Sequence, residues 1–379
     1  MNSCTTTQRA TLTYQLPITS ILHKLICESK MSKAIEIKCH CGSVHFNLNV
    51  PESALPLTAY MCHCSICRYS SGGPGSFHCM VPEDVLPEWI SPSSDANTSY
   101  CDVPGAEYGL KFCSTCGCHI GCSGDDGSWT PSVAVIVNPS PEIVTWKQHV
   151  YSKSAIDGGL SNHLTHIGGK ELRSWNPPDD DPTAKLVIPE PEIGEDGEER
   201  LRAKCFCGGV SFTIKRPSEE VLANEKMTKY ISPLDKKKWI ALWDVCNDCR
   251  LVTGTPAIGW TFVPLSCVEP RISPDLKFGT LKTYSSSPDA TRAFCGTCSA
   301  TFFYTHPSRQ FGDDMVVDIA TGVLRAPEGA LAENWLTWRT RIAHVGSGLE
   351  RDEAWVTGLE EGLKKWTDEK YGKALEAEV

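Results

Sequence analysis

No apolar run in this 379-residue chain approaches the roughly eighteen residues a membrane-spanning helix needs. The first thirty residues also lack the continuous apolar stretch of a secretory signal. Positive charge is scarce: 36 Lys and Arg against 46 Asp and Glu leave a net charge of −10. The basic cluster Lys236-Lys237-Lys238 is too short to grip a phosphate backbone. These absences argue against a membrane partner and a nucleic-acid partner, and they point to a cytoplasmic protein in a reducing compartment. They leave the oligomeric state open. The proportions that remain, 41% apolar and 22% charged, suit a globular chain of two or three domains.

What is abundant is cysteine, with 20 in the chain. Without a secretory signal, ten disulfides are a poor reading, and clustered thiols in a reducing compartment indicate metal binding or chemistry. Cys39 and Cys41 form C-x-C, Cys62, Cys64 and Cys67 form C-x-C-x-x-C, and Cys113 and Cys116 form C-x-x-C. Later come Cys205 with Cys207, Cys246 with Cys249, and Cys295 with Cys298. Cys4, Cys27, Cys79, Cys101, Cys118, Cys122 and Cys267 fall outside the pattern and read as small buried apolar residues or inert thiols.

The clusters belong to an internal repeat. Lys38 to Phe46 aligns with Lys204 to Phe212 at an offset of 166, whereas Cys64 to Arg68 aligns with Cys246 to Arg250 at 182. The offset is still 182 where Phe112 to Cys116 meets Phe294 to Cys298. One module used twice accounts for this, with an insertion between Phe212 and Cys246 in a stretch rich in lysine and glutamate that reads as a surface loop. The expected organisation is a first domain over 31–175, an acidic proline-rich linker over 176–200, a second domain over 201–350 and a terminal segment over 351–379. Residues 1–30 read as a disordered extension or as sequence preceding a true start at Met31.

Short β-type runs at Val44 to Val50, Val133 to Val137 and Val210 to Ile214 indicate an all-β fold. The exception is the C-terminus, where Trp355, Leu359, Leu363 and Trp366 recur at helical spacing from Asp352 onward and predict an amphipathic helix docked on a domain.

Four thiolates satisfy the tetrahedral preference of zinc and close the shell. Cys39, Cys41, Cys113 and Cys116 supply such a set, and Cys205, Cys207, Cys295 and Cys298 supply it again, so both read as folding devices. Cys62, Cys64 and Cys67 offer three, and an incomplete shell is the mark of a catalytic zinc. Three thiolates leave a divalent ion with one net negative charge, which suits a soft incoming thiolate better than water activation. The alternative is a closed site completed by His63, Cys79 or another residue. In the second copy Asp244 replaces the first cysteine of the triplet, beside Cys246 and Cys249, so that site either keeps a harder ligand set or is a relic.

Taken together, Cys39-His40-Cys41-Gly42, Cys62-His63-Cys64-Ser65-Ile66-Cys67-Arg68 with Ser71-Gly72-Gly73, and Phe112-Cys113-Ser114-Thr115-Cys116-Gly117 resemble the CENP-V/GFA domain family, that is, the glutathione-dependent formaldehyde-activating enzymes and centromere-protein-V-like proteins. His149-Val150 and His344-Val345 look like the family's late histidine-hydrophobic pair. The resemblance implies an all-β fold of two zinc-stabilised modules of short coiled antiparallel sheets (Mss-four-like). It implies two to four zinc ions, with glutathione as substrate or cosubstrate. The implied activity is that of a carbon–sulfur lyase acting on glutathione or a glutathione adduct, with the chemistry mainly in the first domain at the Cys62, Cys64 and Cys67 centre. Arg68 is the expected clamp for a substrate carboxylate. Asp244 and Ser299, which stands where the first copy has Gly117, put activity of the second domain in doubt. The competing reading is a non-catalytic tandem zinc-binding module that engages a protein partner.

Overall fold

The computed structural model describes residues 31–104, 106–182 and 185–375. The N-terminal extension, with Cys4 and Cys27, lies outside the described residues. Alternation sets the first ladder: Ile35 and Ile37 on β1 (Ser32–Lys38) and Phe46, Leu48 and Val50 on β2 (His45–Pro51) are buried, and the two strands pair antiparallel. The short β5 (Glu88–Trp89) extends this sheet along β2.

Two four-stranded sheets complete the first half. In one, β3 (Leu57–Cys62) lies between antiparallel β4 (Ser76–Cys79) and parallel β10 (Val144–Val150), with Arg173–Trp175 at the edge. The other is the meander β6 (Thr98–Asp102), β7 (Tyr108–Cys113), β8 (His119–Gly124) and β9 (Trp129–Pro131). Between β3 and β4 runs the helix α1 (Ser65–Ser71), and β10 is followed by the helical turn α2 (Leu160–His163).

Residues 199–343 repeat much of this order. Trp239–Asp244 and Ile258–Pro264 pair in the register of β3 and β4, with Asp244 opposite Ile258 as Cys62 is opposite Ser76. Leu336–Trp338 lies parallel to the first of them, as β10 does to β3. Thr291–Cys295 and Thr301–Thr305 pair like β7 and β8, with a bulge at the same place. One difference decides the architecture. The strand Asp314–Ala320 pairs with both Thr301–Thr305 and Ile258–Pro264 and joins them into a single eight-stranded sheet. Its first-half counterpart is only β9 plus the isolated His78–Ser132 bridge, so the two four-stranded sheets stay separate.

Several local expectations need correcting. Val133 to Val137 is not a strand: Val133–Val135 forms a 3-10 turn, with Ser132 Oγ accepting from Ala134 N–H at 3.1 Å. Contacts from the other half hold it there, since Ser132 Oγ donates to Gly254 O and Arg250 Nη1 donates to Ala134 O. The extra residues between Phe212 and Cys246 are more than a loop, because they contain the helix α3 (Glu219–Ala223), capped by Ser218, and a 3-10 turn at Thr228–Tyr230. Within 176–200, Glu192–Ile193 pairs with Glu199–Lys204, and Glu192 forms an ion pair with Arg202.

The helix α4 (Asn247–Thr253) is the second-half counterpart of α1, and the halves meet through this pair. Tyr69 O at the end of α1 accepts from Phe206 N–H at 2.9 Å, and Leu251 O of α4 accepts from His40 N–H at 3.2 Å. Gly72 and Gly254 end the two helices at φ 74° and 72°, and each packs against a backbone carbonyl of the other half, Thr301 and His119, where a Cβ would not fit. The apolar core of the second half accordingly runs on through Met61, Phe77, Leu160 and Leu164 of the first.

The C-terminal helix α5 (Val345–Tyr371) begins seven residues before the expected Asp352, which breaks it with φ −151°. Trp355, Leu359 and Leu363 are buried and Trp366 is half-buried. The helix crosses onto the first half. Trp355 packs at a tilt against Trp146, Trp146 Nε1 donates to Asp352 Oδ2 at 3.1 Å, and Gly358 and Gly362 press against the carbonyls of His166 and His163. Among the described residues, no helix is long and apolar enough to cross a membrane.

Candidate functional site

Strand β3 delivers Cys62, and the chain then turns into α1 with Cys64 as its N-cap, whose sulfur accepts from Cys67 N–H at 3.4 Å. This cap explains the C-x-x-C spacing, because residues N-cap and N3 bring both sulfurs to the same end of the helix. The sulfurs of Cys62, Cys64 and Cys67 lie within 4.8 Å of one another, and no fourth His, Cys, Asp or Glu donor joins them among the described residues. Their mutual hydrogen bonds push Cys64 well below an ordinary thiol and Cys62 and Cys67 above it.

The residues weighed as a fourth ligand are directed elsewhere. Cys79 is buried against Pro131 O at 3.7 Å. His63 is not a surface residue: it is 1% exposed, with Nδ1 3.2 Å from Pro74 O and Nε2 2.8 Å from His149 Nδ1. His149 Nε2 continues the chain to Leu164 O at 2.8 Å. Burial pushes His63 down to about 3 and His149 down to about 4. Arg68, the expected carboxylate clamp, is engaged with backbone carbonyls. It is 5% exposed, Nε donates to His63 O at 3.1 Å, Nη2 donates to Ser154 O at 3.0 Å, and the guanidinium braces the loops around α1.

Cys62 and Cys67 open on a cleft of about 730 Å³ between the two four-stranded sheets of the first half. Ile66, His78, Tyr108, Leu110 and Cys122 line it, and Glu107, Asp125 and Asp126 supply its only charged lining. Burial, and then the neighbouring thiols, push the Tyr108 hydroxyl up, so it stays a hydrogen-bond donor. His78, Tyr108 and Cys122 are site residues that the sequence reading did not find, since each sits on a strand outside the C-x-C-x-x-C run and carries no motif. Cys122, read from the sequence as a small buried residue or inert thiol, lies in the cleft lining.

The four-cysteine groups assemble as expected: one sulfur from each of Cys39, Cys41, Cys113 and Cys116 lies within 4.8 Å of the others, and likewise for Cys205, Cys207, Cys295 and Cys298. Neighbouring sulfurs are 3.5 to 3.6 Å apart. That is far beyond a disulfide's length of roughly 2 Å, and it is near the ~3.8 Å edge spanned by tetrahedral zinc–sulfur bonds of about 2.3 Å.

The second-half centre differs from expectation in two ways. Asp244 and Cys246 are joined by His344, not by Cys249. Cys249 Sγ turns to Arg292 Nη1 at 3.5 Å. His344 Nδ1 lies 3.2 Å from Asp244 Oδ2, a hydrogen bond that pushes the imidazole up. His344 is also not the counterpart of His149. Ala343 O accepts from Val245 N–H as Val150 O accepts from His63 N–H, so His344 stands where Tyr151 does, and both have φ 57°.

A mostly β chain whose cysteines gather into groups arranged to hold metal ions defines the class. Residues 34–153 match the model of the family described as glutathione-dependent formaldehyde-activating enzyme. The second half lies outside the matched span. No curated protein matches the chain.

Proposed function

We propose that the first half is a zinc-dependent carbon–sulfur lyase acting on glutathione or a glutathione adduct, built from one module that the chain uses twice. The observation that carries this reading is the three-thiol group of Cys62, Cys64 and Cys67 at the wall of an open cleft, with no fourth protein donor in reach among the described residues. The family match over 34–153 supports it. Zinc held by these three sulfurs would keep a substrate thiol ionised and nucleophilic. The eight cysteines of the two four-cysteine groups would hold two closed structural zincs, and the donor set and sulfur spacing fit that role.

In the synthetic direction, the glutathione sulfur forms a bond to the carbon of formaldehyde. The carbonyl electron pair moves to oxygen, and that oxygen takes the proton the thiol gave up. Tyr108, which lines the cleft and keeps its proton, would donate a hydrogen bond to that oxygen. Glu107, Asp125 and Asp126 are complementary to the ammonium of the γ-glutamyl end, and with Arg68 turned away the glutathione carboxylates stay toward solvent. Leu110 and Ile66 supply the apolar wall.

The test is optical. In the cobalt-substituted full chain, glutathione should perturb the thiolate–cobalt bands, and Cys64→Ser should remove that response while the protein stays folded. A parent protein whose bands ignore glutathione overturns the reading. The non-catalytic reading is favoured for the second half, where Trp260, Arg292 and Tyr304 fill the corresponding space.

A further inference from the structure

The cleft holds a second group of ligand-type side chains that no cysteine motif announces. His78 comes from β4, His119 and Cys122 come from β8, and one donor atom from each lies within 4.8 Å of the others. His78 and His119 face each other through Nε2 at 2.9 Å, and Cys122 Sγ approaches His78 Nδ1 at 3.7 Å.

Residues three apart on a regular strand point to opposite faces. Here the ladder shifts between the Phe112–His119 and Lys111–Gly121 pairs, and the extra residue brings His119 and Cys122 to the same side. His119 is 1% exposed, and its Nδ1 has no hydrogen-bond partner. A buried ring nitrogen left so bears a desolvation penalty that nothing offsets. The other half is an internal control: it keeps the bulge but carries Trp260, Thr301 and Tyr304 at these positions, and no metal-type ligand.

We propose that His78, His119 and Cys122 form a metal site, separate from the three-thiol group, that takes a divalent ion of zinc type. His78 and Cys122 line the cleft, so the remaining coordination position opens onto it. Two imidazoles and one thiolate leave a divalent ion with net positive charge, unlike three thiolates, so this site prefers an oxygen ligand such as a carbonyl or carboxylate. The first half would then present a sulfur-preferring and an oxygen-preferring centre to one cavity. The site stands on its own ligands and does not depend on the glutathione reading.

The experiment counts zinc in the full chain at buffered free zinc, in a His344→Ala background that removes the other imidazole donor. His78→Gln and Cys122→Ser should each retain one equivalent fewer than this parent. Cys64→Ser should lose a different equivalent, so Cys64→Ser with Cys122→Ser loses two. Unchanged zinc in both His78→Gln and Cys122→Ser overturns the proposal. X-ray absorption on the His344→Ala parent gives a readout that needs no further variant: zinc–imidazole scattering is expected, and an all-sulfur environment overturns the site even if the substituted proteins unfold. A glutathione response that persists without this zinc leaves the carbon–sulfur reading standing, and the converse result leaves the second site standing.

Discussion

Across the β7–β8 ladder the first half pairs Leu110 with Cys122, whereas the second half pairs Arg292 with Tyr304 in the same register. Arg292 is 3% exposed, its guanidinium lies 4.9 Å from the Tyr304 ring centroid, and it donates to Ser286 Oγ and Cys249 Sγ. Trp260 stands where His78 does. Beside them the Asp318–Arg309 ion pair closes the wall, with Arg309 over Phe262 and Tyr304. The same scaffold therefore makes an open cleft or a filled one according to a few side chains and the length of one strand. Where Asp314–Ala320 zips two sheets together there is no gap between them; where β9 stops after three residues there is. Cysteine count alone does not separate an open thiol centre from a filled one, and the wall opposite the thiols does.

The largest expected effect separates closed from open thiol groups. Cys113→Ser removes a ligand from a four-cysteine set, and a structural zinc can contribute on the order of 10 kcal/mol. That is comparable to the whole stability of a domain, about 5–15 kcal/mol, so near-ultraviolet circular dichroism should show the first half unfolded, whereas Cys64→Ser should keep its native spectrum. Equal unfolding by both variants would erase the distinction.

A smaller effect comes from importing the second half's filling. Leu110→Arg with Cys122→Tyr should weaken the glutathione response of the cobalt protein at least tenfold, equivalent to about 1.4 kcal/mol. A response of parental strength would mean the cleft is not the route to the thiols.

A pH dependence belongs to neither half alone. His163 is fully buried, accepts from Trp243 Nε1 at 2.9 Å and packs on Trp366 of α5. Burial pushes it down to about 3, below the unfolded value near 6.5. A depressed imidazole gives stability that is present above pH ~6.5 and is lost as pH falls toward the folded value, by up to about 1.4 kcal/mol per unit. His163→Gln should flatten the fall in stability between pH 6.5 and 4, read as a shallower decline of the thermal midpoint, and an unchanged slope would place the acid sensitivity elsewhere.

The features legible in the sequence share a cause. Cys39, Cys41, Cys113 and Cys116 could be grouped because a tetrahedral ion needs four soft ligands, and Cys64 with Cys67 because the helix cap fixes their spacing. What was not legible depends on pairing between distant strands. His78, His119 and Cys122 meet only through the β3–β4 register and a one-residue bulge in β8, neither of which has a compositional signature. The clamp expected of Arg68 follows from its local position beside the cysteines, whereas the carbonyls it donates to, His63 and Ser154, include one brought from far along the chain. His344 matched a two-letter pattern, and only the hydrogen bond from Val245 N–H to Ala343 O showed that the pattern was out of step.

The helix Val345–Tyr371 also bears on the order in which the protein can be made. Trp146, His163 and Leu164 emerge from the ribosome some two hundred residues before the helix that covers them. During that interval the first half displays an apolar strip, an invitation to chaperones or to a neighbouring nascent chain. A ribosome stalled before the last helix would hold thiol clusters already able to capture metal on a body still lacking its final clasp.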